Sequence, residues 1–172
     1  MSAAANKSPK TTSVILGLGG NLGDREANIR AALKALKAHE AISKVKLSPL
    51  VESFALTLEG VDESKPKYLN GVISLETSLS AKELLEVTQA IETAQGRVRL
   101  ARWSSRTLDI DIITFGSNMK STKTLTLPHP RAYERAFVLV PWMLLDPNAV
   151  LPGYGSVAAL AEPMRHEVEV VL

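Results

Sequence analysis

Cysteine is missing from the whole chain. Its absence excludes disulfides, thiolate metal sites and a cysteine nucleophile, and it fits a reducing compartment. Aromatic residues are scarce, at 5%. There is no RNP-like string either, so a sheet that stacks RNA bases on exposed rings is not expected, and no nucleic-acid partner with it. No apolar run approaches the ~20 residues that span a bilayer. Met1 to Thr12, a stretch of Ala, Ser, Lys, Thr and Pro, lacks the hydrophobic segment of a signal peptide. It reads as a disordered tail (residues 1–12) ahead of a single domain (13–172), in a cytoplasmic protein without a membrane partner. A strong excess of one charge is also lacking: the formal net charge is +2, so affinity for anions has to come from local clustering. Neither G-x-x-x-x-G-K-[ST] nor H-E-x-x-H occurs, and no Ser-His-Asp arrangement stands out. Gly17, Gly19, Gly20 and Gly23 tempt one to a dinucleotide loop, but Leu22 occupies the place of the final glycine in G-x-G-x-x-G. They read first as a tight strand-to-helix turn with positive φ, with Asn21 able to hold a loop or touch a substrate.

What is present is an ordinary globular composition, 45% hydrophobic and 22% charged over 172 residues. Such a chain can bury roughly 70% of its unfolded surface. Ser13 to Leu18 is a short apolar strand. Asp24 caps a helix whose inner face is Ile29, Ala32, Leu33 and Leu36. Ile42 to Ala55 reads as strand, with Pro49 marking an edge or a bulge. Thr57 to Lys67 is polar and reads as a loop. Tyr68 to Thr77 is a second strand. Ser80 and Glu83 form a capping box for a helix with Leu84, Val87, Thr88 and Ile91 inside, and Gly96 sits at its C′ position. Arg97 to Ser105 is a basic loop, and Leu108 to Phe115 is a third strand. Leu125 to Leu127 is a short strand, His129 to Leu145 holds a helix, and Glu167 to Leu172 suits a terminal edge strand. The order β-α-β-β-α-β is that of the ferredoxin-like α+β fold, a mainly antiparallel sheet with both helices on one face.

Chemistry concentrates near Asp109 and Asp111. On a strand, residues i and i+2 share a face, about 7 Å apart. Two carboxylates held so close repel each other unless a cation or guanidinium lies between them. Two readings stand: structural ion pairs with Arg106 and its neighbours, or a Mg²⁺ site completed by water and a substrate phosphate. Arg97, Arg99, Arg102 and Arg106 fall within ten residues that contain no acid, and Arg131 and Arg135 follow near His129. Carboxylates for a metal beside guanidinium donors are what phosphoryl transfer requires. Trp103 is either a core plug or a cover for a flat substrate. His129, held between Pro128 and Pro130, is the histidine best placed for a site. Tyr68 and Asn70 share a strand face; they are either a half-exposed pair or an aromatic plane beside an amide that reads a heterocycle edge.

GLGGNLGD, YLNGV at Tyr68, QGRVR followed by RW, RTLDIDI and LPHPRAYERAFVLVP together resemble the 6-hydroxymethyl-7,8-dihydropterin pyrophosphokinase family over Val14 to Asp146. The resemblance implies transfer of the β,γ-diphosphate of ATP to the hydroxymethyl group of a reduced pterin, with AMP released, in folate biosynthesis. It implies two Mg²⁺ ions held by Asp109 and Asp111. Arg97 and Arg106 would act on the phosphates with those carboxylates, and Arg99, Arg102, His129 and Arg135 would also bind the nucleotide. Gln89, Ile112 and Thr126 fall where relatives surround the nucleotide. Tyr68 and Phe137 would sandwich the pterin, Asn70 and Thr57 would contact it, and Trp103 would cap it. Leu58 and Glu59 stand where relatives often carry prolines. The segments Thr57–Lys67 and Arg97–Ser105 flank the implied site and are expected to close over it. The partners implied are the two small substrates, with the chain expected to be a monomer.

Overall fold

A computed structural model describes residues 8–96 and 107–172. In chain order the strands and helices are β1 (Thr12–Gly20), α1 (Arg25–Ala38), β2 (Ile42–Leu47), β3 (Val51–Ser53), β4 (Ala55–Thr57), β5 (Gly60–Asp62), β6 (Tyr68–Thr77) and α2 (Ala81–Ala94). There follow β7 (Asp109–Phe115), β8 (Lys120–Ser121), β9 (Thr126–Leu127), α3 (Ala136–Leu145), β10 (Val150–Leu151), β11 (Gly155–Ser156), α4 (Val157–Ala161) and β12 (Glu169–Val170). The main sheet runs β12-β3-β6-β1-β7, with β2 also paired to β6, and its pairings are antiparallel. β1, α1, β2–β3, β6, α2 and β7 are thus the six parts of the βαββαβ order, with β1 and β6 at the centre.

The helices start where the sequence caps them. The Asp24 side chain accepts the Ala27 N–H at 3.0 Å. At α2, Ser80 Oγ accepts the Glu83 N–H while Glu83 returns an acceptor to the Ser80 N–H at 2.7 Å, and Gly96 follows with φ +78°. Both helices bury their stripes on one face of the sheet. Ile29, Leu36, Leu84 and Ile91 meet Leu16, Ile73, Leu75, Ile110 and Ile112 there. The opposite face is covered as well, by the helix expected within His129 to Leu145 and by a short one, α4, that the sequence reading did not include. α3, AFVLVPWMLL, is apolar on every side and largely buried, with Phe137, Met143, Leu144 and Leu145 partly so. With α4 it packs Val138, Leu139, Trp142 and Val157 against Val51, Val72 and Ile113. The result is three layers, with the sheet between two helical pairs.

Several boundaries differ from the sequence reading. β1 already begins at Thr12, paired with Thr77, and Thr11 Oγ1 donates to Glu76, so Thr11 and Thr12 of the expected tail are held against β6; residues 1–7 lie outside the described residues. The strand expected over Ile42 to Ala55 is broken at Ser48-Pro49. Pro49 has no N–H for a ladder, and Ser48 Oγ accepts the Val72 N–H at 2.8 Å instead. Thr57 to Lys67 is not all loop, because β4 and β5 form a hairpin. The C-terminal edge strand forms: β12 pairs with β3, and Val171 N–H donates to the Leu50 carbonyl. In β7 the doublet Ile112-Ile113 marks a bulge. Leu16 pairs with Ile112 and Ile15 with Thr114, which leaves Ile113 extra and turned toward α3. Among the described residues no helix is long and apolar enough to cross a membrane.

Candidate active site

Asp109 and Asp111 stand on the α3 side of β7, both half-buried. Leu108, Ile110 and Ile112 are buried in the opposite core, so the strand is pinned from behind and the carboxylates are held in place. Next to them runs β1, where Gly19 pairs with Asp109 and Gly17 with Asp111. On its other side Gly19 pairs with Asn70 of β6. Neither glycine serves a turn; of the four in the cluster only Gly23 has positive φ, at 67°. Their use is the missing side chain. A Cβ on Gly19 would lie 2.1 Å from Asn70 Oδ1, and one on Gly17 would lie 3.2 Å from Ile113 Cδ1. Gly19 therefore lets the Asn70 amide lie over β1, while Asn70 Nδ2 donates to Ser53 Oγ at 3.2 Å.

Asp111 Oδ2 lies 4.0 Å from Arg135 Nη1 and 3.9 Å from His129 Nε2. His129 is anchored to the same strand, its N–H donating to the Ile113 carbonyl at 2.8 Å. Burial, reinforced by the Arg135 charge and opposed by Asp109, pulls its pKa down to about 4. The imidazole is neutral near pH 7. Its Nδ1 accepts the Arg131 N–H at 3.2 Å, so the ring proton sits on Nε2, facing Asp111. Burial also pulls the Arg135 pKa down, and Asp111 opposes it; the guanidinium remains charged. It lies over the half-buried Phe137 ring, 5.5 Å from the centroid.

The structure thus brings together Asp109, Asp111, His129, Arg135 and Phe137, with Asn70 one strand away and Tyr68 two residues before it on the same face. The remaining expected residues take other positions. Ile112 is buried in the core behind the strand. Gln89 is exposed on α2, whose inner stripe belongs to that same far side, and Thr126 is half-buried in β9. Thr57 builds its own turn: its Oγ1 donates to the Gly60 carbonyl and accepts the Glu59 N–H. Arg97, Arg99, Arg102, Trp103 and Arg106 fall outside the described residues. Sequence reasoning missed Glu92. It is 3% exposed, and its Oε1 accepts the Ile110 N–H, between the two aspartates, at 2.7 Å. The signal was available, since 84, 88 and 92 continue the inner stripe of α2 at helical spacing.

Among the described residues no group of three or more His, Cys, Asp or Glu is suited to a metal. Two hard oxygen donors on a rigid strand nevertheless fit Mg²⁺, which keeps water and substrate phosphate in most of its coordination sphere.

Residues 15–147 match the profile of the family 7,8-dihydro-6-hydroxymethylpterin-pyrophosphokinase (HPPK). The chain belongs to this family. Among HPPK relatives, the 2-amino-4-hydroxy-6-hydroxymethyldihydropteridine pyrophosphokinase of Bacillus subtilis is 42% identical over 126 residues, 73% of each chain. The protein of the same description from Pseudomonas aeruginosa is 41% identical over 139 residues, 81% of this chain and 83% of its own. In solved form, Plasmodium falciparum HPPK-DHPS wild type with pterin and p-hydroxybenzoate aligns with a TM-score of 0.67 at 16% identity. It covers 92% of this chain, which spans only 44% of that one. At that identity the likeness shows a shared HPPK fold and nothing finer.

Proposed function

We propose that this chain transfers the β,γ-diphosphate of ATP to the hydroxymethyl group of 6-hydroxymethyl-7,8-dihydropterin, giving AMP and the pterin diphosphate, as a step of folate biosynthesis. The observation that carries this reading at the site is the carboxylate pair on β7 with Arg135 and His129 on its flank and Asn70 across Gly19. One end suits a polyphosphate and the other a flat heterocycle. Asp109 and Asp111 would hold Mg²⁺ carried with ATP, two ions in all, which when bound neutralises phosphate charge and polarises the phosphorus under attack. Arg135 offers a planar guanidinium for bidentate contact with phosphate oxygens, and His129 offers a neutral Nε2–H donor. Arg97, Arg99, Arg102 and Arg106 add cationic donors in this reading. Asn70 reads the pterin edge, with Tyr68 and Phe137 as its stacking planes. The chain's part is to align the hydroxyl with the phosphorus and to meet developing charge with fixed donors. Incubation with Mg-ATP and the hydroxymethyl-dihydropterin tests it, with phosphorus NMR following the products. AMP and a pterin diphosphate are expected; ADP as the product, or no Mg²⁺ requirement, overturns the assignment.

A further inference from the structure

The hairpin of β4 and β5 projects from the sheet between Ser53 and Lys67. It carries its apolar side chains outward: Leu56, Leu58 and Val61 are exposed, as is Phe54 at its base. Such an arm packs little of its own surface, so its direction depends on how its two feet are held. One side chain holds both. Arg25, the first residue of α1, donates from Nη2 to Glu52 Oε1 at 2.6 Å and from Nη1 to the Lys67 carbonyl at 2.9 Å. Asn21, 3% exposed in the turn before the helix, adds a bond to the Pro66 carbonyl at 3.3 Å. Glu52 is the residue just before Ser53, which pairs with Tyr68 and accepts from Asn70. Lys67 is the residue just before Tyr68. Its ammonium lies over the Phe54 ring, 4.8 Å from the centroid, so the feet also touch each other. Together Arg25, Asn21, Glu52 and Lys67 line an open cleft of about 530 Å³ that includes neither aspartate.

We infer that Arg25 is a positioning residue for the pterin half of the reaction: its guanidinium ties the two feet of the arm to each other and to α1, and so fixes where Tyr68 and, through Ser53, the Asn70 side chain stand. The fork geometry is essential to this. A guanidinium donates in two fixed directions at once, to a carboxylate and to a carbonyl, which a lysine ammonium on a flexible stem does not reproduce. The inference rests on the pterin assignment for its catalytic consequence but not for its mechanical one.

The test compares wild type, Arg25→Ala and Arg25→Lys on the full chain. Amide exchange, measured without substrate, should speed up by roughly tenfold over residues 53–70 in Arg25→Ala, since a charge-assisted bond to each foot is lost. The KM for the hydroxymethyl-dihydropterin should rise by about the same factor, with kcat and the KM for Mg-ATP within about twofold of wild type. Arg25→Lys should keep the ion pair to Glu52 and restore only part of both effects. Unchanged exchange over 53–70, equal rises in both KM values, a lower Tm with no selective KM change, or full rescue by lysine would each overturn the inference. Failure of the wild-type chain to make AMP would instead sink the functional reading, while the exchange result still decides whether the clamp exists.

Discussion

Asp109 and Asp111 are half-buried, and their strand is held by the isoleucines behind them. Replacing either with alanine should therefore leave the fold nearly intact, at a cost below about 1 kcal/mol, and abolish turnover. Denaturant unfolding and an AMP assay check both halves, and near-normal turnover at saturating Mg²⁺ would remove the metal role. Gly19 makes the opposite demand. A methyl group there meets Asn70 Oδ1 far inside contact distance, so the amide has to leave its place against Ser53. Gly19→Ala should cost about 1–3 kcal/mol by overpacking. It should also weaken pterin binding more than nucleotide binding, which titration calorimetry with each ligand will separate. The two aspartates were legible from sequence because alternation on a strand fixes their face. The use of Gly19 was not: nothing in its neighbours along the chain tells that an amide from β6 crosses over it.

The capping box of α2 is a local device and was fully legible, because its partners lie three residues apart. Ser80→Ala should cost about 1 kcal/mol by removing the acceptor for the Glu83 N–H, measurable as a fall in Tm. Bonds from the Ser80 backbone and side chain hold the Glu83 pKa below its ordinary 4.5. Since the folded value lies under the unfolded one, the carboxylate's contribution is present above pH 4.5 and is lost as pH falls through the lower folded value. The stability gap between wild type and Glu83→Ala should accordingly be widest near neutrality and close on acidification; a gap that stays constant into acid would show that the reciprocal bond contributes nothing. The strands that escaped the sequence reading share a cause. β4, β5, β8, β10 and β11 are each two or three residues long, too short for alternation to declare itself. They exist because a partner strand is near, which is tertiary information.

Glu92 joins the α1/α2 layer to the sheet. A helix on one side supplies the acceptor for an amide of the strand whose other side carries the aspartates. Glu92→Gln should keep most of the stability, because an amide oxygen can still accept. Glu92→Leu leaves the Ile110 N–H without that acceptor and should cost about 1–3 kcal/mol, with turnover falling in step as the strand shifts; equal stabilities for the two variants would argue against it. That link was hidden because the sequence shows the stripe position but not which strand lies under it. α3 was legible as a helix, yet its all-round apolarity says only that it is largely buried, not which face of the sheet it covers. The pairing of Gly19 with both Asn70 and Asp109 sets a ruler. Two antiparallel spacings place those Cα atoms about 10 Å apart. Main-chain hydrogen bonds hold that span, so exchanging side chains on β6 or β7 does not alter it. The chemistry of either wall is free to change by substitution while the reach between a ring at one end and a phosphate chain at the other stays constant.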